Sequence, residues 1–254
     1  MSIKITVLGS GPSEAIPRKN CECSACRDAR KPKSKSRRTR SSVFLEWHGK
    51  NILIDCGPDF FEQARREKIK RIDAIFLTHA HFDAGENIKN SPATVFAEKQ
   101  TLKYLGHLHG KLPPAKIVRP NRPVRIGGFG ITPFRVHHAF REKTFPTLGF
   151  KIGPLVYASD VSSVPKTSEK YFRGIKILFL DGAMWLGKKI PWHLSVEQAI
   201  ALAEKFKVKK LYLTQIGHSF PSHAAAQNAV NKYCRENKIK FPVLLAYDGL
   251  KIKI

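Results

Sequence analysis

Acidic residues are scarce in this chain: 20 Asp and Glu stand against 45 Lys and Arg among 254 residues, a formal net charge of +25. Such an imbalance disfavours cationic partners and speeds encounters with polyanions, whether nucleic acid or phosphorylated metabolites. A Lys-rich surface adapted to heat or high intracellular salt is the competing source of the excess, and charge does not decide the fold. Long apolar runs are missing, and none approaches the ~20 residues that span a bilayer, so no membrane is expected. The start, Met1-Ser2-Ile3-Lys4-Ile5, is strand-like and lacks a signal-peptide core, which makes a cytoplasmic protein the expectation. No short fixed repeat and no low-complexity linker interrupt the chain, so one domain over residues 1–254 is expected. Cysteines number only five. In a reducing compartment, clustered thiols read as metal ligands and not as disulfides.

Against these absences, hydrophobic residues make up 42% of the chain, as in a globular protein. The organising stretch is Ile75-Phe76-Leu77-Thr78-His79-Ala80-His81-Phe82-Asp83-Ala84. The apolar run Ala74–Leu77 reads as a buried strand, ending in two histidines and an aspartate at alternate positions. A turn there makes the three converge, and two imidazoles with a carboxylate suit Zn²⁺, Mn²⁺ or Fe²⁺. Upstream, Cys21-Glu-Cys23-Ser-Ala-Cys26 offers three thiolates for a tetrahedral zinc that needs a fourth ligand from elsewhere. Cys56 and Cys234 read as core thiols. The segment Arg27–Arg40 holds eight basic residues and one acid, which fits a phosphate-tracking arm or a solvated loop equally.

Alternation predicts strands at Ile3–Leu8, Ile131–Val136, Leu148–Ile152, Leu155–Ala158, Ile175–Leu180 and Leu211–Leu213, with closing strands at Phe241–Tyr247 and Leu250–Ile254. Ser42–Trp47 and Asn51–Asp55 flank His48-Gly49-Lys50 as a hairpin. Shorter strands are expected at Ala93–Ala97, Ile117–Val118 and Val124–Ile126. Helices are expected over Asp59–Glu67, Glu98–Leu105, Ala199–Phe206 behind a capping box at Ser195-Val-Glu-Gln198, and Ser222–Asn237. Gly9-Ser10-Gly11 is a turn that admits a phosphate or simply a close backbone approach. His79, His81, Asp83, His138, Asp160, His193 and His218 all lie just past predicted strand ends, the rim where ligands collect in layered α/β folds.

On Thr78-His79-Ala80-His81-Phe82-Asp83, Asp55, His138 and Ser159-Asp160, the chain resembles the metallo-β-lactamase superfamily. Gly9-Ser10-Gly11, the Cys21–Cys26 cluster, Asp55-Cys-Gly-Pro-Asp59-Phe60 and His193-Leu-Ser195 further resemble the branch that contains a cyclic-phosphate phosphodiesterase of carbon–phosphorus lyase metabolism. The resemblance implies an α/β protein, an αββα four-layer sandwich with a metal site at one edge. It implies a first metal on His79, His81 and His138, with Asp160 shared between two metals and His137 the alternative to His138. It also implies a structural Zn²⁺ on Cys21, Cys23, Cys26 and His218, and a substrate-facing His193. Two positions depart from the pattern: Ala84 and Gln215 stand where imidazoles belong, leaving Asp83 and Asp160 for a second ion.

The expected chemistry is metal-dependent hydrolysis of a phosphodiester, with Asp83 holding water or acting as base and His193 hydrogen-bonding a non-bridging phosphate oxygen or protonating the leaving group. Zn²⁺ or Mn²⁺ is the expected active-site ion, possessing one filled position. An RNA- or DNA-processing or nucleic-acid-binding protein is the second reading, and a catalytically decayed relative that keeps the structural zinc is the third. Expected partners are an anionic phosphorylated substrate and nucleic acid along Arg27–Arg40, with a homodimer left open.

Overall fold

The computed structural model describes residues 2–140 and 143–254. Its first half supplies β1 (Lys4–Gly9), β2 (Ser42–Trp47), β3 (Lys50–Ile54), β4 (Ala74–Phe76), β5 (Thr94–Ala97) and β6 (Ala115–Ile117). The second half supplies β7 (Val124–Ile126), β8 (Phe129–Val136), a small ribbon of β9 (Ala139–Phe140) and β10 (Lys143–Thr144), then β11 (Thr147–Ile152) and β12 (Leu155–Ala158). It continues with β13 (Ile177–Asp181), β14 (Leu211–Thr214) and β15 (Val243–Leu245), and β16 (Lys251–Lys253) crosses back to the first sheet. The strand orders are β16-β1-β2-β3-β4-β5-β6 and β15-β14-β13-β12-β11-β8-β7. Each sheet is antiparallel on one side and parallel on the other, from β3 to β6 and from β12 to β15.

Side-chain alternation builds the layers. Along β12, Leu155 and Tyr157 face the opposite sheet while Val156 and Ala158 face outward, and β13 repeats this with Ile177 and Phe179 against Leu178 and Leu180. Both faces of these strands are buried, which is why they read as continuous apolar runs. The helices are α1 (Ser24–Ala29), α2 (Phe60–Arg66), α3 (Phe82–Gly85), α4 (Lys99–His109), α5 (Val196–Lys205) and α6 (His223–Glu236). Ala199, Ile200 and Ala203 of α5 with Ala226 and Val230 of α6 cover the second sheet, while Phe60 of α2 and Leu105 of α4 cover the first. The expected αββα sandwich is therefore present.

Local expectations hold with small shifts. His48 and Gly49 form the hairpin turn with φ of 48° and 71°, the primed geometry that matches strand twist. The capping box at Ser195 and Gln198 is made in full. The helix expected at Glu98–Leu105 runs on to His109, where Gly110 ends it with φ 74°. The strand expected at Phe241–Tyr247 shrinks to Val243–Leu245, because Pro242 has no N–H for the ladder. α1 was not expected at all.

Gly9-Ser10-Gly11 turns out to serve packing. A Cβ on Gly9 would lie 1.9 Å from the Arg40 carbonyl oxygen, so only glycine lets the 38–40 segment approach. Ser10 donates to Asp248 from N and Oγ at 3.0 and 2.9 Å, and its Oγ accepts from the buried Arg38 at 2.7 Å. These groups are committed to the protein and none is left to hold a phosphate.

Candidate metal centres and catalytic cleft

The parallel strands of both sheets end at one edge. β4 leads through Leu77 and Thr78 to His79, β8 to His138, β12 to Asp160, β13 ends on Asp181 and β14 leads to Gln215. This edge frames a cleft of about 590 Å³ whose lining includes His81, Asp83, His138, Asp160, His193 and Gln215. A wider groove against β1, β2 and β16 holds none of these groups and carries no comparable chemistry.

His79 is fully buried, and its tautomer follows from its partners. The Thr78 hydroxyl lies 2.9 and 3.0 Å from the Asp55 carboxylate oxygens, an acceptor to which its one proton goes. Thr78 Oγ1, 2.8 Å from His79 Nδ1, must then accept from that nitrogen, which leaves the Nε2 lone pair facing the cleft. His138 is oriented the same way, Nδ1 donating to the Trp192 carbonyl at 3.2 Å. His79 Nε2 and His81 Nδ1 lie 2.9 Å apart, about the spacing of neighbouring nitrogens on one ion at roughly 2.0–2.1 Å each. Ligand atoms of His79, His81 and His138 all lie within 4.8 Å of one another, as do those of His138, Asp160 and His193. The donor set, three imidazoles with an adjacent carboxylate, fits Zn²⁺ or a similar divalent ion.

Electrostatics follow from burial. Desolvation pulls His79 and His81 down to about 4, so both are neutral and ready to ligate. Burial opposes ionisation of Asp160, but His79, His138 and His193 together hold its carboxyl well below the ordinary range. Burial, then the charge of Asp160, raises Asp83 to about 6. His193 is the exception: burial works against its charge, yet Asp181, 2.6 Å from Nδ1, raises it to about 9. Asp181 also accepts the backbone N–H groups of Val161 and Ala183, each at 2.9 Å, and is thereby fixed as the anion of the pair.

Asp83 lines the cleft but falls outside both converging groups among the described residues. Its loop is pinned by close approach: a Cβ on Gly57 would stand 2.0 Å from the Asp83 carbonyl oxygen, and Cys56 N donates to Ala84 O at 2.7 Å. His137 points outward to Ser163, 2.8 Å away, so of the neighbouring pair His138 is the site residue. His223 instead pairs with Arg38 at 3.0 Å and does not occupy the space beside Ala84. Sequence reasoning missed two participants. Asp181 carried only its strand-end position as a signal, and Gln215, noted for a missing imidazole, donates from Nε2 to both Asp160 oxygens at 3.0 and 2.9 Å.

The second centre is complete. Sulfurs of Cys21 and Cys23 lie 3.5 and 3.9 Å from His218 Nδ1, and all four ligand atoms fall within 4.8 Å. A tetrahedral ion with bonds of about 2.3 and 2.0 Å requires S···N spacings near 3.6 Å. Cys23 caps α1, its sulfur accepting from Cys26 N at 3.5 Å, and backbone and side-chain hydrogen bonds from Cys23 lower Cys21 to about 7. The set fits a structural Zn²⁺. In the following segment Arg38 is buried and Arg40 chelates Asp59 at 2.9 and 3.0 Å, while Arg27, Arg30, Lys31, Lys33, Lys35 and Arg37 are exposed.

A profile of the beta-lactamase superfamily domain matches residues 50–216. A solved diphosphatase of the PhnP family is 31% identical, covers 100% of this chain and 98% of its own, and superposes with a TM-score of 0.83. The chain belongs to the beta-lactamase superfamily and to its PhnP family. Zn²⁺-bound PqqB from Methylobacterium extorquens shares the same metallo-β-lactamase fold at 19% identity and TM-score 0.80, covering 98% of this chain and 99% of its own. An octanoyltransferase of Porphyromonas gingivalis is 27% identical over 270 residues, covering 99% of this PhnP-family chain but only 53% of the transferase. The chain thus spans about half of that relative. Members of the superfamily are usually hydrolases, and no helix among the described residues is long and apolar enough to cross a membrane.

Proposed function

We propose that the protein is a metal-dependent phosphodiesterase acting on an anionic, phosphorylated small substrate. The observation that carries this reading is His193, held by Asp181 through Nδ1, facing the His79–His81–His138 set, with the His138 and His193 rings 5.1 Å apart. A divalent ion on those imidazoles and Asp160 supplies Lewis acidity and lowers the pKa of water from 15.7 toward about 7. With Nδ1 held by Asp181, the imidazolium of His193 delivers its one remaining proton, on Nε2, to the leaving oxygen as the P–O bond breaks. Asp83, a cleft-lining carboxyl raised to about 6 by burial and by Asp160, orients the attacking water. The likeness to a diphosphatase at 31% identity supports a phosphoanhydride or phosphodiester centre over an amide or thioester.

Turnover of bis(p-nitrophenyl) phosphate, cyclic phosphates and diphosphates by the zinc- and manganese-loaded protein tests the proposal. Diester or diphosphate hydrolysis that disappears in His79→Ala and His193→Ala is expected; thioester hydrolysis with an inert phosphate panel would overturn it. A nucleic-acid substrate is the second reading, supported by six exposed cations between Arg27 and Arg37. Replacing Lys31, Lys33 and Lys35 by Gln should weaken RNA binding and flatten its salt dependence if that reading holds.

A further inference from the structure

We infer that the catalytic centre is built for a single metal ion, with the Gln215 amide fixed where a second ion would have to reach Asp160. The inference rests on His79, His81, His138 and Asp160 as a metal site, and not on phosphodiester turnover.

An ionised carboxylate offers about four lone-pair sites. Ser159 Oγ donates to Asp160 Oδ2 at 2.6 Å, and one N–H of Gln215 Nε2 points between the two carboxylate oxygens, 3.0 Å from Oδ1 and 2.9 Å from Oδ2, covering the edge they share. Oδ2 is thereby filled and Oδ1 keeps one site, enough for a terminal ligand of the ion beside His138. A carboxylate bridging two ions needs two free lone pairs, on one oxygen or on both, and only one is left here. Asp160 and Gln215 are both buried, 5% and 2% exposed, so the contact between them is held by the surrounding protein.

The amide is aimed by its backbone. Gln215 sits at φ 61°, a left-handed conformation that a non-glycine side chain adopts only when its surroundings enforce it. Ile216 N donates to Ser10 O at 3.0 Å and Gly182 N to Thr214 O at 3.2 Å, holding the turn from both sides. Across the cleft the buried Ala84 offers only a methyl group. The other candidate histidines are engaged elsewhere, His137 with Ser163, His223 with Arg38 and His193 through Nδ1 with Asp181.

Metal content and spin state test this without reference to activity. The zinc-saturated wild type should hold two ions per chain by plasma mass spectrometry, one of them lost in Cys23→Ser and the other in His79→Ala. Manganese loaded into the catalytic site should give the six-line signal of an isolated Mn²⁺ ion. Gln215→Glu places a second carboxylate against Asp160, and their repulsion is relieved by a cation between them. This variant should take up one more divalent ion, and its melting temperature should rise with added Mn²⁺ where that of the loaded wild type does not. Three ions in the wild type, or an exchange-coupled manganese signal, would overturn the inference. So would a folded Gln215→Glu variant with unchanged metal content. If that variant does not fold, the wild-type count and spin signal decide alone. Absence of phosphodiesterase activity would refute the proposed function and leave these readouts unaffected.

Discussion

Cys21, Cys23 and Cys26 come from one short loop and need only His218 from far along the chain, whereas the catalytic set draws on the ends of several strands in both sheets. The loop centre has four ligands directed at one point. The cleft has three imidazoles, but its carboxylate is largely occupied by Ser159 and Gln215. Their difference separates two uses of metal. In the loop an ion would stand in for a core: Ile16, Cys26 and Ala29 form only a small apolar cluster, and ligation would hold the segment against the sheets. In the cleft the strands are already secured by packing on both faces, and the ion serves chemistry instead.

Breaking the loop centre should therefore have the largest effect on the fold. Cys23→Ser is expected to lower the zinc content by one ion and stability by on the order of 5 kcal/mol, part of the free energy a structural zinc supplies. Denaturation with and without a chelator checks this. His79→Ala should do the converse: about a 10³-fold loss of turnover, equivalent to about 4 kcal/mol, with the melting curve of the zinc-loaded loop retained.

The cleft can be divided further at His193. Its folded-state pKa is raised from 6.5 to about 9, so the fold binds this proton more tightly than the unfolded chain does. The pair's contribution to stability is complete below pH 6.5 and is lost as pH rises through about 9. In metal-free protein, NMR titration of His193 should show this raised value, and Asp181→Asn should bring it down. Loss of the positioned acid should cost kcat about 10²-fold, with little change in KM.

The smallest effect is expected where neither centre is involved. Ser195→Ala removes the hydroxyl that caps α5 and should cost about 1 kcal/mol by urea denaturation, with both metal counts intact. Loss of turnover in this variant with both metals retained would mean that α5 also sets the position of His193.

Much of this architecture is legible locally. Alternation along Leu155–Ala158 and Ile177–Leu180, the His48-Gly49 turn and the Ser195 capping box are short-range signals, since each depends on neighbours a few residues away. Ligand types are legible too, because imidazoles and thiolates at tight spacing, Cys21 to Cys26 and His79 to His81, have few other uses. Which of His137 and His138 turns inward is different: it depends on the side of β8 that meets β11, and one residue reverses it. The pairing of Asp181 with His193 and of Gln215 with Asp160 joins residues 12 and 55 positions apart. No periodicity records such contacts, because they exist only once parallel register brings β12, β13 and β14 to a common edge. The sequence by itself determined the strands, the turns and the residue types that could bind metal; only the sheet register decided that the Gln215 amide meets the buried Asp160 carboxylate, because that contact joins two strands' ends.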